Sequence, residues 1–86
     1  MTIEFTKTFD KQFDKLRRNE QKRVIESIEL FKVNPFAPQL RNHKLEGIYS
    51  KYRSISAGGD IRLHYLKKDD KITIVFVEIG THSQLY

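Results

Sequence analysis

Residues Ile72 to Ile79 read Ile-Thr-Ile-Val-Phe-Val-Glu-Ile, a run that β-branched and aromatic side chains fill almost completely and that a charged, turn-like cluster precedes. Such a run is a buried strand, because these side chains pack on a pleated surface and lose freedom in a helix. Gly80 is expected to end it, and Thr81-His82-Ser83-Gln84-Leu85-Tyr86 comes next. That ending is too polar for a core, but it would present an imidazole and a phenol from a rigid base. Everything N-terminal must supply partners for this strand within an 86-residue chain, which sets the scale of a single domain over residues 1–86 with a limited core.

The partners are legible from periodicity. Thr2 to Phe5 alternates as a short strand with Ile3 and Phe5 on one face, and Thr6 or Thr8 can cap a helix directly after it. Phe9, Phe13 and Leu16 fall at i, i+4 and i+7, the spacing of one apolar helix stripe, with Lys7, Asp10, Lys11, Asp14 and Lys15 outside it. Asn19-Glu20 has the form of a second helix start, after which Val24, Ile28 and Phe31 repeat the spacing, Ile25 and Leu30 widen the stripe and Asn34-Pro35 closes the helix. Pro35 to Gly47 is an irregular segment pinned by Leu40 and Leu45, with Arg41, His43 and Lys44 polar between them.

Tyr49 to Ser56 then reads as a strand, Ala57-Gly58-Gly59 as a turn, Asp60 to Leu66 as a strand and Lys67 to Lys71 as the turn into the final strand. The expected class is therefore α+β, an N-terminal strand and helical hairpin packed on one face of a three-stranded antiparallel meander. Parity sends Ile61, Leu63 and Tyr65 toward the helices and leaves Asp60, Arg62 and His64 on the other side. That second face suits a surface salt-bridge ladder, or a phosphate-binding and proton-transfer face.

Composition narrows the chemistry. Sixteen Lys and Arg against 11 Asp and Glu leave a formal charge of +5, which favours nucleic acid or an acidic protein partner. The sequence has no cysteine, so disulfides and thiolate metal sites are excluded. The three histidines, His43, His64 and His82, form no close-spaced metal pair, and Gly58-Gly59 sits between strands where no phosphate loop can form. Neither a membrane span nor the apolar core of a signal peptide is visible, so a cytoplasmic protein with no membrane partner is expected. Acid–base chemistry with no cofactor and no metal remains, and for it histidine and arginine suit RNA: imidazoles move protons near neutral pH and guanidinium clamps phosphate.

Leu40-Arg41-Asn42-His43-Lys44-Leu45-Glu46-Gly47, Tyr52-Arg53, Asp60 and Gly80-Thr81-His82-Ser83-Gln84-Leu85-Tyr86 together resemble the YafQ branch of the RelE/ParE toxin superfamily, the toxic halves of bacterial type II toxin–antitoxin modules. The resemblance spans essentially the whole chain, and Gly-Thr-His-Ser is its most specific part. It implies a RelE-like fold and a ribosome-associated endoribonuclease that cuts mRNA during translation. Its implied partners are a cognate antitoxin and, as the toxin–antitoxin complex, operator DNA. The family's loop histidine falls on His43, its acidic residue on Asp60, its C-terminal histidine on His82 and its terminal aromatic on Tyr86.

One position departs. The branch carries a further histidine at the end of the second strand, where this chain has Ser56, which cannot act as a base near neutral pH. Asp60-Ile61-Arg62-Leu63-His64-Tyr65 instead resembles the strand of RelE proper, whose arginine supports cleavage and maps to Arg62. The expected site is a hybrid in which Arg62, with His64, supplies the function that Ser56 lacks. His82 is its general acid, Asp60 or His43 its base, and Tyr86 stacks a base or transfers a proton; Arg53, Lys44, Arg41, Lys51 and His64 hold RNA. A ParE-like gyrase-inhibiting toxin that acts by binding, or an inactive antitoxin-binding relative, are the alternatives on the same fold.

Overall fold

The first strand of the chain pairs with the last. In the computed structural model, which describes residues 1–85, β1 (Thr2–Phe5) runs parallel to β5 (Thr73–Thr81), with Thr2 opposite Thr73 and Phe5 opposite Phe76. Between them come α1 (Lys7–Asp14), α2 (Arg18–Val33), β2 (His43–Lys44), β3 (Tyr52–Ser56) and β4 (Ile61–Lys67), and α3 (His82–Leu85) comes after β5. The sheet order is β1-β5-β4-β3-β2, antiparallel except at the β1 edge. The expected meander is its centre, widened by one strand on each side. Two-residue β2 lies in the stretch expected to be irregular, where His43 and Lys44 pair with Ser54 and Arg53. The last strand also runs through Gly80 to Thr81 rather than ending at Gly80, because Arg62 and Ile61 of β4 still pair with those residues.

The helical hairpin covers one face. Thr6 caps α1, its hydroxyl oxygen accepting the Phe9 N–H at 3.0 Å. The second helix begins two residues earlier than Asn19 suggests: Arg17 occupies the cap position, and the Glu20 carboxylate accepts the Arg17 N–H at 2.9 Å. Glu20 thus performs the expected service at the helix start while Asn19 lies inside the first turn. Val24, Ile28 and Phe31 are buried, but Ile25 is 51% exposed, since the helix turns its neighbours onto the sheet and carries Ile25 past the edge of the stripe.

Phe76 is the hub of the core. It is 0% exposed, and its ring centroid lies 5.5 Å from Phe31, 5.6 Å from Tyr65 and 5.9 Å from both Phe5 and Phe9. Leu40 and Leu45 are buried as expected, and both anchor the loop that leads through β2.

A β-bulge interrupts the β4–β5 ladder. His64 faces Glu78, but the next residue, Tyr65, faces Phe76, so Val77 is the extra residue. One extra residue inverts the alternation: Ile74 and Phe76 point to the helices on one side of it, and Ile79 does on the other. Two side chains, from the α1 cap and from α1 itself, satisfy the backbone there. The Thr6 hydroxyl donates to the Val77 carbonyl at 2.7 Å, and the Gln12 side-chain oxygen accepts the Ile79 N–H at 2.6 Å.

The turn before β5 is closed by Asp70, whose carboxylate accepts the Thr73 N–H at 2.9 Å, the Thr73 hydroxyl at 2.8 Å and the Ile72 N–H at 3.0 Å. These bonds, led by that from the Thr73 backbone, hold its pKa below the ordinary value. A carboxylate depressed in this way stabilises the fold above the ordinary carboxylate range and ceases to as pH falls through its lowered pKa. Asp70→Ala is therefore expected to lower the thermal midpoint at neutral pH, and the gap to wild type should close in acid; a gap unchanged with pH would rule this out.

Candidate active site

The sheet face turned away from the helices collects the functional residues in rows set by strand register. One row runs His43 on β2, Ser54 on β3, His64 on β4 and Glu78 on β5, each opposite the next. The adjacent row on this face is Ser56, Arg62 and Gly80. Asp60 and His82 lie at the end of the same strands, where the His82 N–H donates to the Asp60 carbonyl at 3.0 Å and to its carboxylate at 3.3 Å. Thr81 and Gln84 brace α3 reciprocally: the Gln84 side-chain oxygen accepts the Thr81 N–H at 2.9 Å, and the Thr81 hydroxyl oxygen accepts the Gln84 N–H at 3.2 Å.

Each group is oriented by its neighbours. The His43 Nδ1 lies 2.9 Å from the Arg41 carbonyl, which can only accept, so Nδ1 carries the proton and Nε2 is the basic nitrogen of the neutral ring. Arg41 itself adopts left-handed backbone (φ 49°), which turns that carbonyl toward the ring, and is exposed. The Arg62 Nη1 donates to the Gly59 carbonyl at 2.9 Å, the Ile61 carbonyl at 3.0 Å and the Ser56 hydroxyl at 3.3 Å. Ser56 therefore supports the guanidinium.

His64 departs from its expected place in an exposed row with Asp60 and Arg62. It is 1% exposed, too deep to hold RNA directly, and its Nδ1 lies 3.2 Å from the Glu78 carboxylate. Burial is the first cause of its lowered pKa, and the charge of nearby His43 acts in the same sense, while the hydrogen bond and charge of Glu78 oppose both.

Other expected RNA contacts are dispersed. Arg53 and Lys44, opposite each other in register, lie a residue out of phase with Ser54 and His43 and so on the helix side of the sheet. There the Arg53 Nε donates to the Asn42 side-chain oxygen at 2.8 Å, and its guanidinium lies 5.4 Å from the centre of the Phe36 ring. Asn42 in turn donates to the Tyr65 hydroxyl at 2.8 Å and the Pro35 carbonyl at 2.9 Å, so Arg53 helps bolt down the loop that carries His43. Lys51 lines an open groove of about 720 Å³ with Leu66, Lys67, Lys68, Asp69 and Asp70. Tyr86 lies outside the described residues.

Glu78 and Ser54 were not anticipated. Glu78 is the one charged residue of its strand, and an isolated carboxylate in an apolar strand was the available signal. Among the described residues no three His, Cys, Asp or Glu side chains converge as a metal centre requires, and no helix is long and apolar enough to cross a membrane.

A helical hairpin on one face of a mixed sheet is a fold this chain shares with bacterial toxins of known structure. The fold superposes on YafQ from E. coli with a TM-score of 0.80 at 22% identity, covering 98% of this chain and 96% of that one. A YoeB/ParE toxin from Agrobacterium tumefaciens gives 0.79 at 16% identity, covering 95% and 99%. The whole chain, residues 1–86, matches the family described as the bacterial toxin of type II toxin–antitoxin system, YafQ, and the protein belongs to that family. It is also similar to a copper-bound mutant toxin from Helicobacter pylori, 30% identical over 100% of this chain and 99% of that one, with a TM-score of 0.73. The E. coli DinJ–YafQ complex matches with a TM-score of 0.70 at 22% identity, covering 98% of this chain and 96% of its counterpart. No curated protein matches by sequence.

Proposed function

We propose that this toxin is a ribosome-associated endoribonuclease that cuts mRNA by attack of a 2′-hydroxyl on the adjacent phosphate, with no metal in the chemistry. The observation that carries the reading is the far sheet face, where the base-competent nitrogen of His43 and the braced guanidinium of Arg62 share one surface and His82 is anchored at its end. His43 Nε2 takes the 2′-hydroxyl proton, the 2′-oxygen bonds to phosphorus, and the bond to the 5′-oxygen breaks as His82 protonates it. The products are a 2′,3′-cyclic phosphate and a 5′-hydroxyl. Arg62 balances the charge that grows on the phosphate.

Asp60 acts through His82, because its bonds are to the His82 backbone. That favours His43 over Asp60 as base. The cognate antitoxin is the protein partner, in keeping with the DinJ–YafQ complex formed by a relative, and operator DNA binding belongs to the toxin–antitoxin pair. Primer extension on a translated reporter mRNA after brief induction, without antitoxin, tests the reading. Discrete cuts within the reading frame are expected. Intact mRNA from a folded, growth-arresting protein would overturn it and favour a ParE-like action on gyrase, seen as altered DNA supercoiling.

A further inference from the structure

We infer that partly exposed Glu78 and buried His64 form a dyad that serves the base His43 from across the sheet, with Glu78 a positioning residue of the acid–base chemistry. The dyad deepens the RNA-cleaving reading of this face and rests on it. Its ground is register. His43, Ser54, His64 and Glu78 stand opposite one another on four successive strands, and plain alternation would have put Glu78 with Phe76 in the core. The bulge at Val77 alone turns Glu78 to the far face, and Thr6 and Gln12 are committed to holding that bulge.

The dyad is not required for packing. Burying an imidazole against a carboxylate carries a desolvation cost, and well-packed apolar residues of similar size usually do as well or better. Its contribution is orientation. The carboxylate accepts the His64 Nδ1–H, which fixes the tautomer and makes Nε2 the lone-pair nitrogen. Ser54, 0% exposed, lies between His64 and His43 in the row, and its hydroxyl has no hydrogen-bond partner among the described residues, so its dipole can turn toward either ring.

When His43 takes the substrate proton, a cation forms on this face. The charged groups facing His64 are then Glu78 from β5 and His43 from β2, with Arg62 two residues along its own strand and His82 at the strand end; β3 contributes the neutral Ser54. Glu78 supplies the negative charge in that set, and His64, held neutral by burial, transmits its effect without adding a competing cation. This extends to a pair of imidazoles the logic by which a buried carboxylate orients a catalytic histidine and stabilises its protonated form.

The test is cleavage of mRNA on programmed ribosomes by purified toxin, measured across the imidazole pH range for wild type, Glu78→Gln and the apolar pair His64→Leu with Glu78→Val. Both variants are expected to lose about tenfold or more in kcat at neutral pH with KM little changed, in the range of general acid–base contributions. Without the Glu78 carboxylate a cation on this face is less favoured, so the acid limb of the rate profile moves to lower pH in both. The apolar pair should melt no lower than wild type, which separates this effect from loss of fold. Wild-type rate and profile in the folded apolar pair would overturn the dyad while leaving the site intact. Absence of cleavage by wild type itself would overturn the RNA-cleaving reading and the dyad with it.

Discussion

Phe76→Ala is expected to remove a large part of the chain's folding stability. The side chain is 0% exposed and touches four aromatic rings, Phe5, Phe9, Phe31 and Tyr65, that come from β1, both helices of the hairpin and β4. Truncating a buried phenylalanine costs about 3–5 kcal/mol, part transfer and part cavity. At about 0.05–0.15 kcal/mol per residue, a domain of this size holds only about 4–13 kcal/mol in total. The cavity would lie where α1, α2 and the sheet meet, so no single element can close it by moving. Denaturant melts followed by circular dichroism would show the loss directly. A stability within about 1 kcal/mol of wild type would mean that the aromatic cluster is not the centre of the core.

His82→Ala is expected to reduce mRNA cleavage by about 10²–10⁴-fold while the protein stays folded, the range for removal of a general acid or base. The fold should survive because the main chain of residue 82 is seated by bonds that the substitution keeps: its N–H reaches the Asp60 carbonyl and carboxylate, and Thr81 with Gln84 braces the turn around it. His43→Ala should fall by a comparable factor, and the double variant by less than the product, since acid and base act in one step. A folded His82→Ala protein that cuts at the wild-type rate would remove this residue from the chemistry. A loss recovered at high substrate, with kcat restored, would make it a binding group instead.

Much of the fold was legible because its main periods are unbroken. Phe9 with Phe13, and Val24 with Ile28 and Phe31, keep helical spacing, and Ile61, Leu63 and Tyr65 keep strand parity; all face the core or pack against it. Departures arose where the backbone breaks its period. The extra residue at Val77 puts Glu78 and Phe76 on opposite faces although they are two apart, and no count along β5 reveals that without its partner strand. Arg53, expected among the RNA contacts with Arg62, lies on the helix side of the sheet, because neighbours along a strand face opposite ways and Ser54 faces away. Strand β2 was hidden for another reason: a two-residue edge strand is too short to show any period, and it is the pairing with Ser54 and Arg53 that defines it. His43, Asp60, Arg62 and His82 were singled out by residue type and resemblance; His43 and Arg62 lie on one face, with Asp60 and His82 joined at its end.

Because β1 pairs with β5 and the Thr6 hydroxyl reaches the Val77 carbonyl, the sheet cannot close until nearly all of the chain has been synthesised. A nascent toxin emerging from the ribosome therefore carries Phe5, Phe9 and Phe31 without the ring that joins them, and it carries His43 and Arg62 before the anchored His82 exists. Order of synthesis thus acts as a built-in delay. The protein gains its fold only as its last strand is completed, and the candidate site is assembled at nearly the same moment.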